Sequence, residues 1–174
     1  MVRFDGAHVQ KEEYKVALRE IRIQGDPILN KTCKPVAQIS DRIRELIDDM
    51  FDTMYEANGV GLAAPQIGIL KRIFVIDVSE EGNEPMVFIN PRIVKTSGTQ
   101  TGDEGCLSVP GKTATVTRPG YVVVEAYDEN MEKFKLEGEG LLARAIMHEN
   151  DHLDGHLYVE KAEGPVRDVK ATQE

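Results

Sequence analysis

The sequence predicts a single α+β domain in which antiparallel or mixed β-sheets surround a central helix. Three observations predict it. Two segments repeat their apolar residues at helical spacing, and three runs between them are rich in β-branched residues. These segments do not follow the regular βα alternation of a nucleotide-binding sheet. With 174 residues and 41% hydrophobic content, the chain is long enough for one domain with a real core, and it shows no internal repeat.

Residues 1–16 are polar and without a clear period, which predicts a leader or tag-like extension ahead of a domain over residues 17–174. "ALREIRIQGDPIL" opens the structured part. In "SDRIRELIDDMFDTMYEANG", Ser40 is suited to cap a helix and Ile43, Leu46, Ile47, Met50 and Met54 fall on one face, with Asn58-Gly59 as the stop. "KRIFVIDV", "EPMVFINPRIV" and "GYVVVEAYDEN" read as strands because β-branched residues dominate them and Gly, Pro and Asn separate them. A second helix follows "EGEG", with Leu141, Leu142, Ala145 and Ile146 expected to face inward and Asp154-Gly155 to end it.

A net charge of −9 argues against non-specific nucleic-acid binding. The chain has no apolar run of about 18 residues, and its start lacks the apolar core of a secretory signal, so a cytoplasmic protein with no membrane contact is expected. In that reducing setting Cys33 and Cys106 are expected to be free thiols, Cys33 as a small buried hydrophobe.

The second helix contains "MHENDHLDG". Residues four apart share a helix face, so His148 and His152 can grip one metal ion while Glu149 serves as a base for an attacking water. The bland alternative is a pair of polar residues on an exposed face. Neutral imidazoles suit zinc, iron, cobalt or nickel, and a catalytic site of this kind takes three protein ligands and leaves a position open. His156, Glu160 and Glu163 lie downstream, but none is well placed by spacing. Upstream, "DEGCLSVPG" sets Cys106 in a short loop-like segment, where Gly105 permits close backbone approach and Leu107 can present its N–H. "GVGLAAPQIG" lacks the Lys-Ser/Thr of a phosphate loop and the glycine spacing of a dinucleotide site. Beside a hydrolytic centre, the Gln66 amide and the Leu107 N–H are suited to hold a developing oxyanion.

Together "GVGLAAPQIG", "EGCLSVPG" and "HENDHLDG" resemble, in order, the three signature segments of the peptide deformylases, and the resemblance runs from about Ala17 to the end. It implies a metal-dependent hydrolase, acting in protein biosynthesis, that removes the N-formyl group from the N-terminal methionine of new polypeptides and releases formate. It also implies that Cys106, His148 and His152 bind the metal and that Glu149 is the general acid/base. Gln66 and the Leu107 amide would stabilise the oxyanion, and Gly61 would orient the substrate backbone, with Gly59 and Gly105 beside it. Val60, Leu141 and Ala145 are the candidates for the methionine pocket, and Arg144 is expected either at its mouth or in solvent. The metal implied is Fe2+, replaceable by Ni2+, Co2+ or Zn2+. The partners implied are N-formylmethionyl nascent chains and, transiently, the ribosome, with no direct nucleic-acid binding. Met147 stands where the family usually has Gln, and the tail after Gly155 is short.

A zinc endoprotease would share the His-Glu-x-x-His pattern but place its third ligand downstream, and a non-enzymatic metal module would need neither Glu149 nor Gln66. A last expectation concerns Glu104, two residues before Cys106. Paired with Arg118 at the far side of the same strand-loop-strand unit, it would pin the segment that carries Cys106 and Leu107; the alternative is two solvated charges.

Overall fold

A computed structural model describes residues 17–169, so the extension expected over residues 1–16 lies outside the described residues, as do residues 170–174. Helix α1, Asp41–Glu56, starts where Ser40 leaves the extended region and its side chain accepts a hydrogen bond from the Ile43 N–H. All five apolar residues at its helical spacing are buried, Met50 and Met54 completely. The helix stops at Ala57, followed by Asn58 at φ 56°.

Among the described residues, the main sheet has five strands, all antiparallel to their neighbours. They are β1 (Gly61–Ala63), β2 (Ile73–Ile76), β3 (Met86–Ser97), β6 (Tyr121–Tyr127) and β7 (Lys133–Glu139), in the spatial order β1-β2-β3-β6-β7. Every residue of β2 is buried, because both of its faces are covered. Ile73 and Val75 pack with Leu46, Ile47 and Met50 of α1. Phe74 and Ile76 pack with Ala143 and Ile146 of α2 (Gly140–Leu153), on the opposite face. An unbroken apolar run such as "IFVI" is what a strand sandwiched between two helices requires.

Among the described residues, a second sheet holds β4 (Gln100–Cys106), β5 (Val109–Arg118) and β8 (Arg167–Asp168) in the order β4-β5-β8, with β4 at one edge. Under it Leu29, Val116, Leu157 and Tyr158 form a separate apolar cluster. The α+β class is thus observed, and two local expectations are corrected. Cys106 is not in a loop: it ends β4, and only Leu107 and Ser108 separate it from β5, with Cys106 paired opposite Val109. Leu141 does not face inward; it is 53% exposed, because at the second position of α2 it borders the open cavity, while Ala145 and Ile146 are buried. At the other end of α2, Gly155 adopts φ 81°, and a Cβ there would come within 2.6 Å of the Asn30 carbonyl oxygen, so glycine alone fits.

Candidate metal centre

One turn of α2 separates His148 from His152, which brings their rings to 5.0 Å. The end of β4 delivers Cys106 to the same point, with its Sγ 3.4 Å from His152 Nε2. The three candidate ligand atoms lie within 4.8 Å of one another. One soft thiolate and two imidazoles form a donor set suited to a divalent transition metal, and three protein donors leave a coordination position open. A buried polar atom nearby carries the same signature: Glu149 Oε2 has no hydrogen-bond partner among the described residues. Cys33 lies elsewhere, free and buried against Phe74 and Leu153.

The His148 ring is oriented from behind. Its Nδ1 sits 2.9 Å from Glu104 Oε2, which leaves Nε2 for the site. Arg118 grips Glu104 with both arms of its guanidinium, Nε to Oε1 at 2.8 Å and an Nη to Oε2 at 3.0 Å. Arg118 also donates to Asp151 at 2.6 Å, which ties the β4–β5 hairpin to α2. Arg144 is neither solvated nor a simple mouth residue. It is buried, donating to Glu104 Oε1 at 2.8 Å and to the Val116 carbonyl at 3.1 Å, while its side chain still borders the cavity. Burial disfavours the Glu104 carboxylate, yet the hydrogen bonds from His148 and Arg118 outweigh it and hold its pKa well below the usual range. Glu149 has no such cations in contact, and burial pushes its pKa up to about 7. Burial also opposes a charged His148 ring, but hydrogen bonds to Cys106 and Glu104 push its pKa up to about 10, and a bound cation competes for that proton.

Gln66 comes from a 3₁₀ turn, Ala64–Ile67, and its amide is clamped: Oε1 accepts from the Ala63 N–H at 2.9 Å, and Nε2 donates to Ser108 Oγ at 3.1 Å and toward Cys106 Sγ at 3.5 Å. The amide group is therefore fixed beside the Cys106 sulfur, with its N–H₂ facing the centre. A cavity of about 660 Å³ opens onto these groups. Gly59, Val60, Gly61, Gly105, Leu107, Leu141 and Ala145, all singled out in the sequence, line it. A Cβ at Gly61 would approach Glu149 Oε1 to 2.5 Å, so its absence keeps the carboxylate accessible. Met147 is partly buried against the α2 side of the main sheet.

Sequence reasoning missed the ion pair of Arg144, the Asp151 acceptor, the Ser108 hydroxyl and the approach of Val169 to the cavity. Asp151 carried a usable signal, since it lies three residues after His148 and one before His152 on the same helix. The others depend on partners distant in sequence and had none.

Comparison with known proteins places this geometry in a family context. A family model described as polypeptide deformylase matches residues 18–168. A peptide deformylase of Lachnoclostridium phytofermentans is 64% identical over 159 residues, 91% of this chain and 98% of that protein. One from Agathobacter rectalis is 62% identical over 154 residues, 88% of this chain and 96% of its own. Among solved structures, a peptide deformylase from Legionella pneumophila superposes with a TM-score of 0.82 at 47% identity, covering 84% of this chain and 87% of that one.

Proposed function

The chain belongs to the polypeptide deformylase family, and we propose how its own residues divide the work of removing the N-formyl group from nascent polypeptides. The enzyme is a metal-dependent hydrolase. The observation that carries the division of labour is a buried carboxylate oxygen without a partner, on Glu149, next to three convergent ligand atoms.

Cys106, His148 and His152 would hold the metal, with Fe2+ the ion the resemblance implies and Ni2+, Co2+ or Zn2+ equally suited to these donors. When bound, a divalent cation supplies Lewis acidity at the position the three donors leave open. Glu149 accepts the proton of the attacking water as its oxygen bonds to the formyl carbon. The Gln66 amide and the Leu107 N–H then donate to the oxyanion, a role typically worth about 2.7–4 kcal/mol per donor. As the carbon–nitrogen bond breaks, Glu149 returns the proton to the leaving amine, so formate and a free amino terminus result. A pKa raised to about 7 suits a group that must both take and give a proton near neutrality. Gly61, with Gly59 and Gly105, lets the substrate backbone lie against the centre, and Val60, Leu141 and Ala145 give the methionine side chain an apolar wall.

Glu104 and Arg118 act through His148: they fix the ring that carries a ligand nitrogen. The domain spans residue 17 to the end, with the extension over 1–16 outside it. The partner is the formylated nascent chain, which places the enzyme in the cytoplasm. None of the described helices is long and apolar enough to cross a membrane. A net charge of −9 opposes lasting contact with ribosomal RNA, so any ribosome association is transient.

Formate release from a formyl-Met peptide, beside cleavage of the same peptide without the formyl group, tests the reading. Formate without backbone cleavage is expected. Cleavage of the unformylated peptide would point to an endoprotease, and neither product to a binding module.

A further inference from the structure

Three large exposed apolar side chains of the described residues come from three separate parts of the chain to line one cavity: Val60 before β1, Leu141 in the first turn of α2 and Val169 just after β8. The proposed function assigns the first two to the methionine side chain and gives Val169 no role. That residue is 57% exposed and reaches the cavity because its N–H donates to the Gly111 carbonyl at 2.9 Å, and Gly111 and Lys112 are themselves cavity wall. Across that wall, a Cβ at Gly105 would lie 3.5 Å from the Lys112 carbonyl oxygen, so this outer stretch adjoins the backbone next to Cys106.

The strand that brings Val169 there is short but held at several points. Lys112 pairs with Asp168, and Arg167 reaches across β5 to Asp103 of β4 at 2.6 Å and to Thr115 Oγ1 at 3.3 Å. Two ladder positions, Lys112 with Asp168 and Thr113 with Arg167, fix the register. An apolar side chain just beyond a two-residue strand gains little for the fold when it is more than half exposed. A cavity of about 660 Å³ is in the range of drug-sized ligands, several times one formylmethionyl residue, so the substrate continues beyond the methionine within it.

We infer that Val169, held by β8, is a specificity-determining residue: it forms the outer wall of the substrate cavity and favours an apolar side chain downstream of the formylmethionine. The inference rests on the deformylase reading above. Its occupant is the nascent chain itself, because the wall is continuous with the site where the formyl group reacts.

The test uses the metal-loaded protein and a series of peptides, formyl-Met-Ala followed by serines, in which one leucine is walked through the serine positions. The parent should prefer leucine at one of those positions by about tenfold in kcat/KM, the order a single well-packed apolar group provides. Val169→Asp should abolish that preference, Val169→Leu should keep it, and formyl-Met-Ala should be hydrolysed equally by all three proteins. Calorimetric binding of the deformylated product peptides should follow the same order. A leucine preference unchanged in Val169→Asp, or no preference in the parent, overturns the inference while leaving the deformylase reading intact. A fall on formyl-Met-Ala as large as on the longer peptides overturns it too, since that marks a structural role. Absence of formate from every peptide removes both.

Discussion

Glu104 and Glu149 are two carboxylates in the wall of one cavity, 5% and 4% exposed, and their surroundings differ in almost every respect. Both oxygens of Glu104 are engaged, by Arg118, Arg144 and His148. Glu149 Oε2 has no partner among the described residues. Burial raises the pKa of both groups, but only Glu104 has cations close enough to reverse the sign. Equal burial therefore leaves one carboxylate a fixed anion behind the His148 ring and the other suited to the proton transfer proposed for it.

The largest expected effect is that of changing Glu149. Glu149→Gln keeps the shape and cannot accept the proton, so kcat/KM for a formyl-Met peptide should fall by about 10²- to 10⁴-fold with the melting temperature held or raised. Steady-state formate release and a thermal melt on the same sample check both halves.

Glu104→Gln should do the reverse. It leaves buried Arg118 with one of its two carboxylate partners and buried Arg144 with backbone carbonyls alone, and breaking a buried pair in this way costs about 3–5 kcal/mol, read by urea unfolding. The His148 ring also loses its anchor, so metal affinity should weaken by roughly 10- to 100-fold in a chelator titration. Arg144→Met comes next: it removes one charged hydrogen bond to Glu104 while the arm of the side chain still fills its space. A loss of about 1.5–3 kcal/mol in the same unfolding experiment is expected, and Arg118 still holds the carboxylate.

The smallest effect belongs to a third buried carboxylate, which sharpens the comparison because neutral donors hold it. Asp77 accepts from the Tyr55 hydroxyl at 2.6 Å and from Ser79 and Glu84, and it does not line the cavity. Burial raises its pKa, and the hydrogen bonds from Ser79 and Tyr55 outweigh this and lower it from 3.8. A depressed carboxylate pKa contributes stability that is present above the unfolded value and lost as the pH falls through the folded one. Tyr55→Phe should therefore cost about 1 kcal/mol at pH 7, flatten the decline in stability below about pH 4, and leave kcat/KM unchanged.

Much of this was legible where the physics is local. The cap at Ser40, the period of α1 and the unbroken run of β2 each depend on a few neighbouring residues. The spacing of His148, Glu149 and His152 is likewise a property of one helix face. The β4–β5 hairpin was harder to see, because "QTGDEGC" is polar, glycine-rich and half exposed, and its pairing with β5 is what makes it a strand. Arg144 shows the limit most clearly. An arginine on this helix reads equally as a pocket-mouth residue or a solvated one, and only the arrival of Glu104 from 40 residues earlier makes its burial tolerable. The place of Val169 depends on a two-residue strand, which has no period to detect.

The contrast between the two carboxylates is tested most directly by measuring bound metal per protein and formate released per bound metal in the Glu149→Gln and Glu104→Gln proteins prepared side by side. The account predicts a crossed result: Glu149→Gln keeps its metal and loses turnover per metal, whereas Glu104→Gln loses metal and keeps most turnover in the fraction that retains it. Parental turnover per metal in Glu149→Gln, or metal lost from it in step with activity, would contradict the assignment of Glu149 as the proton carrier.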